Sequence, residues 1–234
     1  MTDAERVANR CRELLYLVDA AYGQEYGYGT LPLCVIDAIW SIGVRYESVK
    51  NVVQRYCRHF RMPDPWRVNS GVVPTQSEAQ HSIPVMLAEM RRMGLEQFTE
   101  NVFQNRQRTS PQSGILKADA VFRFAAILES HQIHFLKDVP TFGTDLPLEC
   151  KILAVPGQAS GKSLKYFFML CGDASLMKPD RMTLTYLSHT LGKRISDNEA
   201  QELLSLACSL LHDLNPSLTP RLLDHEIWKY QRSQ

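Results

Sequence analysis

The sequence predicts an all-α protein, and three observations predict it. Apolar residues recur at helical period along most of the chain. Period-2 alternation over about five or more residues is hard to find, and the strand–helix rhythm of a parallel sheet is missing. The 234 residues are 44% hydrophobic and 22% charged, the composition of an ordinary globular chain. Disorder, collagen and low-complexity arrays are thereby excluded, and no period of roughly 20–50 residues marks a solenoid.

The elements follow in chain order. Val7, Cys11, Leu14, Leu15, Val18, Ala21 and Tyr22 form one helical stripe, which the glycines of the 23–29 segment (GQEYGYG) terminate. A second helix starts after Pro32 with Ile36, Ile39 and Trp40. It breaks over Ser41–Tyr46 and resumes with Val49, Val52, Val53, Tyr56, Cys57 and Phe60. A Pro-rich loop over 62–74 separates these from the stripes Met86/Leu87/Met90/Met93, Leu95/Phe98/Val102 and Val121/Phe124/Ala125/Leu128. Near the end, Leu203/Ala207/Leu210/Leu211/Leu214 is the clearest stripe. The run Ile152–Val155 is short and apolar enough to be a strand by itself.

No apolar run reaches the ~18 residues of a membrane helix. The densest, Leu203–Leu214, is interrupted by Ser205, Ser209 and His212. The first ten residues are charged and have no apolar core, so a secretory signal is not expected and the cytoplasm is. Six cysteines (Cys11, Cys34, Cys57, Cys150, Cys171, Cys208) lie far apart with no CxxC pair, and seven histidines offer no HExxH. They read as buried thiols in a reducing compartment, with no zinc site.

Net charge is only +1, but the charge is segregated. Arg45, Lys50, Arg55, Arg58, Arg61 and Arg67 face two anions, Glu47 and Asp64; Arg91, Arg92, Arg106, Arg108 and Lys117 face Glu96 and Glu100. From Asp197 to Glu226 the sign reverses. Such asymmetry can guide a polyanion, and it is equally the pattern of solvated helix faces.

The segment Lys151–Gly172 carries the most local information. Pro156, Gly157 and Gly161 force a tight turn between two apolar stretches. One reading is a P-loop, since the apolar ILAV leads into GQASGKS. The count fails, because Gly157 and Gly161 are separated by three residues where the phosphate cradle needs four. The other reading is a helix–hairpin–helix over 146–172, with helices Leu146–Val155 and Lys162–Gly172 around a Pro156–Gly161 hairpin. Its glycines permit left-handed backbone, and the amides heading the second helix would face a DNA phosphate.

Val155-Pro156-Gly157, then Lys162, then Asp180 in the segment Leu176–Met182 resemble the helix–hairpin–helix/Gly-Pro-Asp superfamily of base-excision DNA glycosylases, which includes endonuclease III. The loop Gly172–Asp180 fits the family's second loop in length. Gly114–Ala125 resembles its G-[LY]-x-x-x-K-A helix, and Pro32–Phe60 its opening barrel helices. The chain departs from the family in three ways. The hairpin carries one extra residue before Lys162, Met182 stands where the family has His, and no cluster of four cysteines exists.

The resemblance implies a two-lobed helical fold with its cleft between lobes. Residues 31–175 would form the barrel, residues 1–30 would pack with a C-terminal lobe of 176–234, and the tail Leu223–Tyr230 would cap that lobe. It implies a DNA-repair hydrolase that flips a damaged or modified base from double-stranded DNA and breaks its N-glycosidic bond. Asp180 would stabilise the oxocarbenium-like sugar and orient water, although it also suits an ordinary N-cap. Lys162 would be either a Schiff-base amine with lyase activity or a phosphate contact, and a monofunctional enzyme is favoured. Pro156, Gly157, Gln158, Ala159, Ser160, Gly161 and Ser163 would contact DNA, with Arg45 and Tyr46 in the helix break as the wedge. Tyr22, Tyr26, Tyr28 and Trp40 are available as pocket walls, with core packing the favoured alternative for Trp40. The resemblance further implies a cluster-free, cofactor-independent monomer associated with the nucleoid, with a monovalent cation at the hairpin. A DNA-binding protein without chemistry is the alternative.

Overall fold

The structure is a computed structural model describing residues 1–21, 27–62, 65, 81–111 and 113–233. It is all-helical, with no strand among the described residues. The helices are α1 (Asp3–Leu14), α2 (Leu31–Trp40), α3 (Tyr46–His59), α4 (Ile83–Met93), α5 (Leu95–Phe98), α6 (Lys117–Ser130), α7 (Leu146–Leu153), α8 (Lys162–Cys171), α9 (Arg181–Leu191), α10 (Asp197–Leu210) and α11 (Pro220–Arg232). A π-helical turn, Thr99–Phe103, continues α5 and ends at Gln104 in left-handed backbone. The apolar run that could have been a strand instead forms the last turn of α7 and its cap.

The chain divides into two compact units, Gly23–Asp173 and Met1–Tyr22 with Ala174–Gln234. In the first, all ten residues of α2 are buried. This explains why LPLCVIDAIW is apolar on every side: a helix surrounded by others has no solvent face. It packs against α8, α6, α3 and α4. Pro32 in its first turn suits a position whose amide needs no helical partner. Its end at Trp40 and the restart at Tyr46 leave Ser41–Arg45 between helices.

In the second unit α1 packs on α10 and α9, and α11 packs on α9 and α10. Val7, Ala8 and Cys11 join Leu187, Leu204, Leu211, Leu223 and Ile227 in one core. Thr2 closes a reciprocal capping box with Glu5 at the head of α1. The apolar stripe leads one to expect a helix running to Tyr22, but α1 ends at Leu14 and Leu15 is extended. A tertiary contact decides this. Buried Asn215 donates its side-chain amide to the carbonyls of Leu17 (2.9 Å) and Ala20 (3.3 Å), holding that segment out of the helix.

No helix among the described residues is long and apolar enough to cross a membrane. Five of the cysteines are buried and Cys150 is exposed; all six are free thiols.

Candidate functional site

The hairpin is built from glycines at both ends. Gly157 has φ +92° and Gly161 φ +70°, a region L side chains enter at a cost. Gly157 has a second constraint: a Cβ there would lie 2.4 Å from the Cβ of Thr109. The amides of Gln158 and Gly161 donate to the carbonyls of Val155 and Gln158, both at 2.9 Å, and these turns lead the chain into α8. Pro156, Gly157, Ala159, Ser160 and Lys162 are exposed around the turn. A helix rather than a strand enters this loop, so the setting of a P-loop is lacking as well as its spacing.

Two hairpin residues expected to face DNA do not. Gln158 is 0% exposed and Ser163 3% exposed, and the serine hydroxyl donates to Gln158 Oε1. Gln158 thus turns inward, where its side-chain amide braces the start of α8. Gln158 Nε2 is left buried without a partner among the described residues.

Asp180 is exposed and forms the N-cap of α9. Its Oδ1 accepts the amides of Met182 at 2.7 Å and Thr183 at 3.0 Å, while Oδ2 has no bond among the described residues. The carboxylate therefore lies at the positive end of a helix with one oxygen presented outward. Lys162 is also exposed, a setting without the burial that would desolvate an amine nucleophile.

Of the residues expected to line a pocket, Tyr22 and Tyr26 lie outside the described residues. Trp40 takes the core alternative: it is 0% exposed, with its ring centroid 4.5 Å from that of Phe103. Tyr28 is part of a buried polar cluster with Asp37, Tyr166 and Ser41, three residues that the sequence motifs did not single out. Asp37, 1% exposed, accepts the hydroxyls of Tyr28 (2.9 Å), Tyr166 (3.3 Å) and Ser41. Burial and the Asp37 charge push both tyrosines far above the ordinary phenol value, and nearby Tyr46 adds to the effect. Tyr46 itself is 54% exposed, and Arg45, which precedes it at the N-cap of α3, is exposed too. The signal for Asp37 was legible, since a lone acid in a wholly apolar helix needs partners to be buried.

The two basic segments differ. Arg45, Lys50, Arg58 and Arg61 are exposed and make no ion pair among the described residues. The cations from Arg91 to Lys117 are instead engaged within the fold. Arg91 pairs with Glu129, Arg92 with Glu89, and Arg106 with Glu96 and Glu100. Arg108 donates to the Gly114 carbonyl at 2.6 Å, and Lys117 is 2% exposed. This second segment is therefore not a free basic face: its charge is largely neutralised at home.

A family model described as Domain of unknown function (DUF8548) matches residues 5–232. No curated protein and no solved structure matches the chain.

Proposed function

The chain belongs to the DUF8548 family, and we propose that it is a DNA glycosylase, hydrolysing the N-glycosidic bond of a modified base flipped from duplex DNA. Asp180 carries the reading: an exposed carboxylate fixed through one oxygen by two helix-head amides, with its second oxygen available to a sugar cation or a water. The glycine-built hairpin before it offers an exposed turn and the head of α8 to a backbone phosphate. In the unit that holds the hairpin, α3 adds Lys50 and Arg58 as exposed cations, with Arg45 before it and Arg61 after it. Asp180 acts on the sugar, Lys162 serves as a phosphate contact, and Arg45 and Tyr46 form the wedge.

One observation favours a second reading, a DNA-binding helix–hairpin–helix protein without chemistry. The two bonds made by Asp180 are those any helix N-cap makes. A panel of duplexes carrying oxidised, alkylated, deaminated and hypermodified bases, scored for abasic sites, separates the two. Base release lost in Asp180→Asn supports the glycosylase. Binding without release from any duplex establishes the second reading. Scoring with and without alkali reports strand cleavage by Lys162.

A further inference from the structure

Thr183 joins two carboxylates that lie far apart in sequence. Its amide donates to Asp180 Oδ1 at 3.0 Å, and its hydroxyl donates to Asp224 Oδ1 at 2.6 Å. Thr183 is 1% exposed in the first turn of α9, so both of its donors are shielded from bulk water, while the Asp180 carboxylate they help to hold is exposed. Asp224 comes from α11, which packs on α9. All three residues belong to one compact unit.

We propose that Asp224 is a positioning residue for Asp180, acting through Thr183, and that its ionisation places a second negative charge behind the reacting carboxylate. The proposal rests on the glycosylase reading of Asp180. An oxocarbenium-like sugar gains from negative charge held near it, and the gain is larger the less water screens that charge. Charge on Asp224 therefore favours bond breaking, and its protonation withdraws that help. The proton exchanges with solvent, and Asp224 does not touch the substrate.

Asp224 is placed to change charge near neutrality. Burial pushes its carboxyl up to about 7; the Thr183 hydroxyl and Arg221 pull it down, and the charge of Asp180 adds to the push. The charged groups acting on it are thus Asp180 at the head of α9 and Arg221 on α11 itself. Helix α10, which also packs on α11, contributes none among the described residues. The signal in sequence was Leu222-Leu223-Asp224, an acid among core residues.

Two measurements on the full chain test this. The first is a carbon-13 NMR titration of the Asp224 carboxyl, which is expected to show a midpoint near 7. That midpoint should fall in Asp180→Asn, which removes the like charge, and rise in Thr183→Val, which removes the donor. The second is single-turnover base release across neutral pH. Release by the wild type should rise about five-fold as Asp224 ionises. The rise should vanish in Asp224→Asn and return in Asp224→Glu. A midpoint in the ordinary carboxylate range overturns the proposal whatever the activity, and needs no variant to fold. A midpoint near neutrality with an unchanged pH profile in Asp224→Asn overturns it while leaving the glycosylase standing. Coupled titration in a protein that releases no base overturns the glycosylase reading itself, and the role of Asp224 falls with it.

Discussion

The ammonium of Lys117, in the first turn of α6, donates to the carbonyl oxygen of Trp40 at 2.9 Å and so closes the end of α2. A second bond of 2.9 Å reaches the carbonyl of Ile42, in the break between α2 and α3. Terminal helix carbonyls need donors when they are buried, and here one lysine supplies them. Lys117→Met should leave two carbonyls unpaired and cost about 2–3 kcal/mol, measured by urea unfolding. The pH dependence has a definite sign. Burial lowers this ammonium from 10.5 to about 8, so between those values the unfolded chain binds the extra proton. Wild-type stability should therefore gain a contribution as pH rises through that window, and Lys117→Met should lack it.

Asp180→Asn should separate chemistry from capping. Asparagine caps helices as well as aspartate does, so the unfolding midpoint should hardly move. Base release should fall by a factor of about a hundred or more, because the neutral amide cannot stabilise a sugar cation. A fall in release matched by a fall in folded protein would show the residue to be a cap alone.

Gly157→Ala should disrupt the hairpin from within. The positive φ and the approach of Thr109 both oppose a side chain, and relieving one leaves the other. A cost of about 1–3 kcal/mol is expected, with weakened duplex binding. Thr109→Gly in the same background, which removes the opposing Cβ, should recover only part of the stability.

The salt dependence of duplex binding should distinguish the two basic segments. Neutralising Lys50, Arg58 or Arg61 by substitution with Gln should shrink the slope of log K against log salt by about 0.9 for each phosphate that the cation had paired. Arg106→Gln should leave the slope unchanged, since that guanidinium is held by Glu96 and Glu100.

Acid should destabilise the unit Gly23–Asp173 through His81. Its Nε2 lies 2.7 Å from the Tyr56 hydroxyl, and burial lowers the imidazole from 6.5 to about 4. The unfolded chain takes up the proton first, so this stability is lost as pH falls through that interval. His81→Gln should flatten the corresponding limb of an unfolding curve measured against pH.

Much of the architecture was legible because it is enforced locally. Pro156, Gly157 and Gly161 set the turn between α7 and α8, and the helices lie close to where the apolar period places them. The break after Trp40 was legible for the same reason. The end of α1 was not, since the stripe continues to Tyr22 while the chain leaves the helix at Leu14 and Asn215 holds the carbonyls of Leu17 and Ala20. Nor did the pattern show that Gln158 and Ser163 turn inward, because hairpin polar residues look alike whether they meet solvent or each other. The charge count misled most. Arg91, Arg92 and Arg106 read as a basic stripe until their carboxylate partners are seen.

The sequence by itself determined the helical class, the tight turn between α7 and α8 and the placing of Asp180 at a helix head. Each depends on backbone preferences and side-chain period, which act over a few residues. Tertiary structure alone decided which charges remain free, which polar groups are buried and which distant acid stands behind Asp180. Electrostatics and desolvation depend on distance in space, and packing α11 on α9 brings Asp224 within a hydrogen bond of Thr183 across 41 residues of chain.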